Sequence, residues 1–166
     1  MAKEPKKLDE LFHDTLKDIY FAEKKILNAL PKMAKAAQDR TLKAAFEKHH
    51  TETETHVSRL EQVFGAIDAK PQGKTCHAIM GIVEEGEEIA KEYKGSPALD
   101  AGLLAAAQAV EHYEISRYGT LRTWAEELGL PDAVKLLEAT LREEKATDVA
   151  LSQIAETVVN QETEAA

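Results

Sequence analysis

Hydrophobic side chains recur every three or four residues along most of the chain, which is the spacing of one face of an α-helix. Segments rich in polar residues, glycine and proline interrupt this pattern and divide the chain into five predicted helices. The predicted helices span about residues 8–37, 41–64, 75–93, 97–128 and 131–160. No segment shows the alternation of hydrophobic and polar residues that is typical of a half-buried β-strand. The pattern therefore predicts an all-α protein.

The lengths of the predicted helices and their connections indicate how the helices are arranged. Four helices are long, and short connections join the first to the second and the fourth to the fifth. The third helix is shorter and lies within a crossover of about 30 residues between these two pairs. A four-helix bundle with one long crossover that contains a short extra helix accounts for this order. We expect a single domain over residues 1–166, frayed at about residues 1–7 and 161–166.

Five residues mark the expected ends and irregularities of these helices. Thr41 is predicted to cap the start of the second helix and Gly65 to end it. Ser96 is predicted to cap the fourth helix, with Pro97 in its first turn. Pro31 is expected to kink or break the first helix, because proline removes a backbone hydrogen bond.

The composition and charge narrow the classes of function. The chain carries 21 Lys and Arg against 30 Asp and Glu, and its net charge of -9 argues against binding to nucleic acids or anionic membranes. No hydrophobic run approaches the length of a membrane span, about 20 residues. The lysines of Met1–Glu10 have no hydrophobic segment behind them, so no secretory signal is predicted. The single Cys76 excludes an intramolecular disulfide, and a cytoplasmic location is expected.

Acidic and imidazole side chains interrupt the hydrophobic stripe in the middle of each long helix. In chain order they are Glu23, His49, Glu52, His56, Glu111, Glu114, Glu144 and Asp148. Buried carboxylates are costly and repel one another, so such a cluster needs a compensating positive charge. Two metal ions would supply that charge, and oxygen and imidazole donors suit iron or manganese. The sequence therefore predicts a di-metal site in the bundle core, with iron as the first candidate and manganese as the second.

The spacing of these residues departs from the usual di-metal pattern of helix bundles, which has Glu-x-x-His on two of the helices. In the second helix Thr55 stands where that pattern has histidine, so the imidazole comes from His49 or His56, and the sequence leaves this choice open. In the fifth helix Asp148 is predicted to take the place of the histidine. Three tyrosines near the same level can orient a ligating carboxylate or pack in the core: Tyr20, Tyr113 and Tyr118.

Several of these residues also have an ordinary structural interpretation. Glu52 and His56 have the spacing of a pair on a helix surface, and Glu111 and Glu114 have that of a solvated helix edge. His112 is turned about 100° away from Glu111, so we expect it to pack or support rather than bind a metal. The coincidence of acids at one level of four helices favours the buried cluster.

Three parts of the chain resemble the YciE/YciF-type bacterial stress proteins of the ferritin-like superfamily. They are Ala22–Lys24 with Ala29–Lys32, the run Ala105–Leu121, which contains Glu-His-Tyr-Glu, and Glu143–Asp148. The resemblance implies a ferritin-like fold, homodimers, a di-iron site related to that of rubrerythrins, and a role in general or osmotic stress. His49 and Glu52 fit the family pattern better than His56.

Two hypotheses about function follow, and whether the protein is an enzyme stays open. In the first, a di-iron site oxidises Fe(II) with dioxygen or consumes peroxide, with Glu114 and Asp148 as additional ligands. In the second, the protein is a non-catalytic dimeric bundle that acts through protein partners and retains a vestigial site. The second hypothesis predicts stabilisation by acid, because buried carboxyl groups with raised pKa values bind more protons in the folded state.

Overall fold

The computed structural model describes residues 5–160 and contains all five predicted helices. These are α1 (Leu8–Ala36), α2 (Arg40–Ala66), α3 (His77–Glu92), α4 (Leu99–Glu127) and α5 (Pro131–Ile154), followed by a π-helical turn at Ala155–Val159. Residues 5–160 contain no β-strand, and the prediction of an all-α fold is confirmed. Of the residues expected to fray, 1–4 and 161–166 lie outside the described part, and 5–7 precede α1 without helical structure.

The four long helices form the bundle. α1 packs against α2 and α4, and α5 packs against α4 and α2, which closes a ring of four helices. The short helix α3 packs on the outside of α1 and α4, within the crossover from α2 to α4. No helix among the described residues has the length and hydrophobicity needed to cross a membrane.

Hydrophobic side chains fill both ends of the bundle, and a polar layer separates them. On α1, Phe12 and Leu16 are buried toward one end and Ile26 and Leu30 toward the other, with Glu23 between them. The other three long helices repeat this order. Full burial of one such aliphatic or aromatic side chain stabilises the fold by about 1.5–3 kcal/mol. The two hydrophobic ends therefore supply the stability that the buried polar layer opposes.

The ends of α2 differ from the sequence prediction. Asp39, rather than Thr41, caps the helix, because its side chain accepts a 2.8 Å hydrogen bond from the backbone N–H of Leu42. Gly65 does not end the helix, which continues to Ala66. The start of α2 is therefore set by the aspartate two residues before the predicted cap.

Two proline-containing segments also differ from expectation. α1 is not broken at Pro31 and continues to Ala36. α4 begins at Leu99, two residues after Pro97, and the Ser96 hydroxyl accepts a hydrogen bond from the backbone N–H of Ala98. Ser96 thus stabilises the turn that precedes α4 rather than the helix itself.

Asp100 ties the start of α4 to the connection between α1 and α2. Its buried carboxylate accepts hydrogen bonds from the backbone N–H groups of Gln38 (2.9 and 3.1 Å) and Asp39 (2.6 Å). These donors lie at a helix start, where intrahelical partners are missing. The contact fixes the two helix pairs relative to one another, and with them the polar layer.

Candidate metal centre

Six of the eight predicted ligands lie together in the polar layer of the bundle. They come from all four long helices, and each has at most 4% of its surface exposed: Glu23, His49, His56, Glu111, Glu114 and Glu144. His49 and His56 are both inward because they are two helical turns apart on α2. Burial of this many ionisable groups at one level is the main feature of the site.

The six residues form two groups that share one carboxylate. Ligand atoms of His49, Glu111, Glu114 and Glu144 lie within 4.8 Å of one another. Ligand atoms of Glu23, His56 and Glu144 satisfy the same limit. This arrangement has the composition of two adjacent cation sites with Glu144 between them.

The first group is centred on His49. Its Nε2 atom lies 3.0 Å from Glu111 Oε1 and 4.0 Å from Glu114 Oε2. Its Nδ1 atom lies 3.9 Å from Glu52 Oε2. One imidazole thus faces carboxylates from both α2 and α4.

The second group is centred on His56. Its Nδ1 atom lies 2.9 Å from Glu144 Oε1 and 3.6 Å from Glu23 Oε1. The Tyr118 hydroxyl, which is fully buried, donates a short hydrogen bond to Glu23. Of the three tyrosines near this level, Tyr118 is therefore the one that orients a carboxylate of the cluster.

Many oxygen atoms of the cluster have no hydrogen-bond partner of ordinary geometry among the described residues. They are Glu23 Oε2, Glu111 Oε2, both oxygens of Glu114 and both oxygens of Glu144. A buried polar atom without a partner costs about 1–3 kcal/mol. Because these atoms converge and are hard oxygen donors beside imidazole nitrogens, the residues fit iron or manganese ions. The chemistry of the donor set therefore agrees with the sequence prediction of a metal site.

Burial strongly affects the carboxyl groups. Burial raises the pKa of both Glu23 and Glu144 to about 7, and the charge of Glu144 adds to the rise in the pKa of Glu23. Burial and the charges of these two neighbours also raise the pKa of Glu114 well above its usual range. Without a metal, these groups hold protons near neutral pH.

For the two histidines, burial lowers the pKa, whereas the neighbouring carboxylates raise it. Burial lowers the pKa of His56, but contact with Glu144 outweighs burial and raises that pKa to about 9. Burial likewise opposes protonation of His49, and its close contact with the Glu111 carboxylate raises the pKa of His49 above the usual value. Protons thus provide the positive charge of the metal-free cluster, and a metal ion that bound there would displace them.

Two residues that were not predicted extend the site from His56 toward the surface. Glu143 Oε2 lies 2.8 Å from His56 Nε2, and 35% of the Glu143 side chain is exposed. Arg59 donates two hydrogen bonds to Glu143, of 2.6 and 2.9 Å, and lowers the pKa of its carboxyl group. A carboxylate on the second nitrogen of a histidine is the usual support for a metal-binding imidazole. Glu143 has no sequence signal of its own, because it occupies an ordinary surface position beside Glu144.

The structure places Glu52 at the margin of the cluster. Its side chain is 24% exposed, and its Oε1 atom accepts a 2.7 Å hydrogen bond from Lys48. The interaction with the His49 imidazole is the main cause that lowers the pKa of Glu52 to about 2. Thr53, one residue later, takes the buried position on α2. Glu52 is therefore next to His49 but outside both converging groups.

The placement of Asp148 corrects the prediction that it points into the bundle. Its side chain is 23% exposed and lies 3.1 Å from Nε2 of the exposed His112, and it accepts a 3.4 Å hydrogen bond from Gln108. Thr147 occupies the inward position instead. Neighbouring residues on a helix differ by about 100° in direction, so one position decides which of the two side chains enters the core.

The structure places both His49 and His56 in the cluster. Each histidine belongs to one of the two groups, and both are buried. The sequence interpretation required one imidazole on α2, whereas the fold brings two to the same layer.

The comparisons with known proteins agree with this architecture. The family model described as "Domain of unknown function (DUF892)" matches residues 7–164. Protein YciF from Escherichia coli strain K12 is 42% identical over 160 residues, which cover 96% of each chain.

Three solved structures share the fold. The crystal structure of the E. coli stress protein YciF aligns with a TM-score of 0.90 at 42% identity, over 95% of this chain and 99% of that one. The YcfI protein from Rhodopseudomonas palustris aligns with a TM-score of 0.89 at 44% identity, over 93% and 99%. A protein from Xanthomonas campestris pv. campestris, at 21% identity and a TM-score of 0.72 over 95% and 97%, shares the fold alone. The resemblance found in the sequence is confirmed, and the chain belongs to the DUF892 family of YciF-like proteins.

Proposed function

We propose that the buried cluster holds two metal ions, iron in the first instance and manganese as the alternative, and that the protein reacts with a small oxidant during stress. The observation that carries the proposal is the convergence of buried, unpartnered carboxylate oxygens with two imidazoles around the shared Glu144. The role in stress is proposed from the relative in E. coli, which is described as a stress protein.

The residues have separate tasks in this proposal. His49, Glu111 and Glu114 would hold one ion, Glu23 and His56 the other, and Glu144 would bind both. Bound iron would supply one-electron transfer between its Fe(II) and Fe(III) forms. Tyr118 keeps the Glu23 carboxylate in place, and Glu143 keeps the His56 ring in place.

In this proposal, the protons held by the cluster would be consumed when the oxidant is reduced. With dioxygen as the oxidant, two Fe(II) ions held there would supply two electrons, the surrounding groups would supply two protons, and the product would be hydrogen peroxide. With peroxide as the oxidant, two electrons and two protons give two waters. The raised pKa values of Glu23, Glu144 and His56 mean that these groups hold protons near neutral pH and can exchange them.

The first experiment measures metal content per chain by plasma mass spectrometry, on protein purified without chelator from its native host. A Glu23→Ala/Glu111→Ala variant removes a carboxylate from each group. A Glu84→Ala/Glu88→Ala variant, which removes two exposed carboxylates from α3, is the matched control. We expect about two ions per chain in the wild type and the control, and none in the site variant. Absence of metal from the wild type, even after anaerobic loading with Fe(II), would overturn the proposal.

The second experiment measures whether oxidant is consumed. Iron-loaded protein is mixed with dioxygen or hydrogen peroxide, and the appearance of Fe(III) and the loss of oxidant are followed together. We expect consumption that depends on added iron and disappears in the Glu23→Ala/Glu111→Ala variant.

Homodimer formation and a cytoplasmic location stay predictions, which sedimentation equilibrium and cell fractionation test.

A non-catalytic bundle that acts through protein partners is the alternative. The raised pKa values of Glu23 and Glu144 support it, because protons alone can neutralise these buried groups. This alternative predicts a protein that binds no metal and becomes more stable as the pH falls. Metal content therefore discriminates between the two functions.

A further inference from the structure

A cavity of about 60 Å³ lies directly beside the His49 end of the metal cluster. Hydrophobic and small side chains from several helices form its walls, among them Ile26, Ala29, Val83, Gly86, Ala107 and Val110. His49, Glu111 and Thr147 border it on the side of the cluster. The cavity therefore joins a hydrophobic space to the edge of the polar layer.

Small residues create this space where α3 and α1 pack against α4. Ala29 and Ala107 occupy positions where larger side chains would fill the cavity. Gly86 faces α4 so closely that an added Cβ would lie 3.4 Å from the Cβ of Ala106. Protein interiors are close-packed and seldom keep voids larger than a water molecule. The hydrophobic void beside the polar cluster therefore depends on these small residues, and a few alanine-to-leucine changes would fill it.

The size and lining of the cavity define what it can hold. A space of this kind accepts a water molecule from about 10–15 Å³ upward, and a hydrophobic cavity of about 150 Å³ binds benzene or xenon. At about 60 Å³, this cavity has room for a molecule larger than water but is well below the size that takes an aromatic ring. Away from the edges formed by His49, Glu111, Thr147, Lys32 and Glu87, its walls are hydrophobic and offer no hydrogen bonds. This part of the cavity disfavours water and hydrogen peroxide and favours a small, uncharged, apolar molecule.

The outer edge of the cavity lies at the protein surface between α1 and α3. Lys32 and Glu87, which also line it, form an ion pair of 3.1 Å. Their side chains are 71% and 52% exposed, so this pair is in contact with solvent. We expect a dissolved gas to enter at this edge, because the charged residues around His56 do not line the cavity.

We infer that this cavity is a binding site for dioxygen, held beside His49 and Glu111. The inference rests on the proposed function and makes it more specific, because it assigns dioxygen rather than peroxide as the oxidant that approaches the cluster from this side. Xenon is a probe of the same site, because it is a single apolar atom, smaller than a benzene ring, and needs no metal for binding.

The test is xenon-pressurised crystallography of the full chain. Ala107→Leu fills the cavity, and Ala105→Leu, an exposed position two residues earlier on α4, is the matched control. We expect xenon density in the wild type and in Ala105→Leu, and its loss in Ala107→Leu. Ala29→Val, a smaller change on α1, should reduce xenon occupancy and serves if Ala107→Leu does not fold. A wild-type cavity without xenon overturns the inference.

Kinetics of the iron-loaded protein test the assignment to dioxygen. We expect Ala107→Leu to oxidise Fe(II) more slowly with dioxygen than Ala105→Leu does, while the two variants have the same rate with hydrogen peroxide. Equal rates with dioxygen in a variant that has lost the xenon site would overturn the assignment. Xenon binding without any metal binding would instead uphold the gas site and overturn the proposed function, so the two failures are distinguishable.

Discussion

The two ends of the buried cluster have opposite surroundings. At the polar end, His56 contacts Glu143, which in turn pairs with Arg59, and this chain of charged groups reaches solvent. At the apolar end, His49 and Glu111 border the hydrophobic cavity. Each imidazole also has a partly exposed carboxylate beside it, Glu143 at His56 and Glu52 at His49, so the main difference between the two ends is the hydrophobic cavity.

This difference leads us to expect that charged species and a neutral gas would reach the buried site from different ends. Protons and ions are costly to transfer into a hydrophobic environment, so they are expected to exchange at the polar end. A neutral gas has no such cost and is expected to enter at the apolar end. In the proposed function, the cluster would receive protons and ions at one end and oxidant at the other.

The largest expected effect is that of Glu144→Gln, which removes the charge common to both ends. We expect metal content to fall from about two ions per chain to none, because the shared carboxylate belongs to both groups of ligand atoms. Metal analysis by plasma mass spectrometry checks this. Glu138→Gln is the matched control, since Glu138 lies on the same helix and pairs with Arg122 at 2.9 Å. Two ions retained in Glu144→Gln would show that the two ends do not share a ligand.

The pH dependence of the metal-free protein tests the protons of the cluster. The pKa values of Glu23 and Glu144 are about 7 in the folded protein, against an ordinary value of 4.5, so their contribution to stability is present at low pH and is lost as the pH rises through 7. The pKa of His56 rises from 6.5 to about 9, so its contribution is lost as the pH rises through 9.

All three contributions have the same sign. We therefore expect the melting temperature of the metal-free protein to fall from about pH 5 to pH 9, and to fall less in metal-loaded protein, where ions replace the protons. Thermal melts followed by circular dichroism in both forms measure this difference. A metal-free protein that became more stable as the pH rose would contradict the protonated cluster.

A smaller effect, a loss of metal affinity, is expected from Glu143→Gln at the polar end. Loss of a carboxylate that supports a metal-binding histidine lowers metal affinity about 10–100-fold. Anaerobic titration with Fe(II), followed by calorimetry, checks this. Glu87→Gln, which alters the ion pair at the edge of the cavity, should leave the affinity unchanged. Equal affinity in both variants would mean that Glu143 does not support the bound metal.

The smallest effect is expected from Lys32→Ala at the edge of the apolar end. Both partners of the Lys32–Glu87 pair are largely exposed, and such pairs contribute about 0–1 kcal/mol to the free energy of unfolding. Chemical denaturation should therefore give almost the wild-type value, and xenon should still bind. A larger loss of stability would show that this pair holds α3 against α1.

The fold was largely predictable from the sequence, because the spacing of hydrophobic residues is a local property of each helix. All five helices occur, and their ends differ from prediction by a few residues. The caps were less predictable. At the start of α2, Asp39 and Thr41 are both suitable residue types, and only the backbone path decides which side chain reaches Leu42.

The positions in the candidate site were predictable only in part. Acids on the axis of a hydrophobic stripe, such as Glu23 and Glu144, are buried as the sequence predicts. The burial of residues on the flank of a stripe is harder to predict, because a small rotation of the helix moves them into the core or out to the surface. Asp148 turns outward while Thr147 is buried for this reason.

By itself, the sequence determined that this protein is an all-α bundle of four long helices with a short helix in the crossover, and that each long helix has ionisable residues on its inner stripe. Tertiary structure alone decided that both histidines of α2 enter the cluster, that Arg59 and Glu143 extend it to the surface, and that a hydrophobic cavity adjoins His49. The physical reason is that periodicity reports which face of a helix is buried, whereas contacts between helices depend on their rotation and distance, which the whole packed bundle sets.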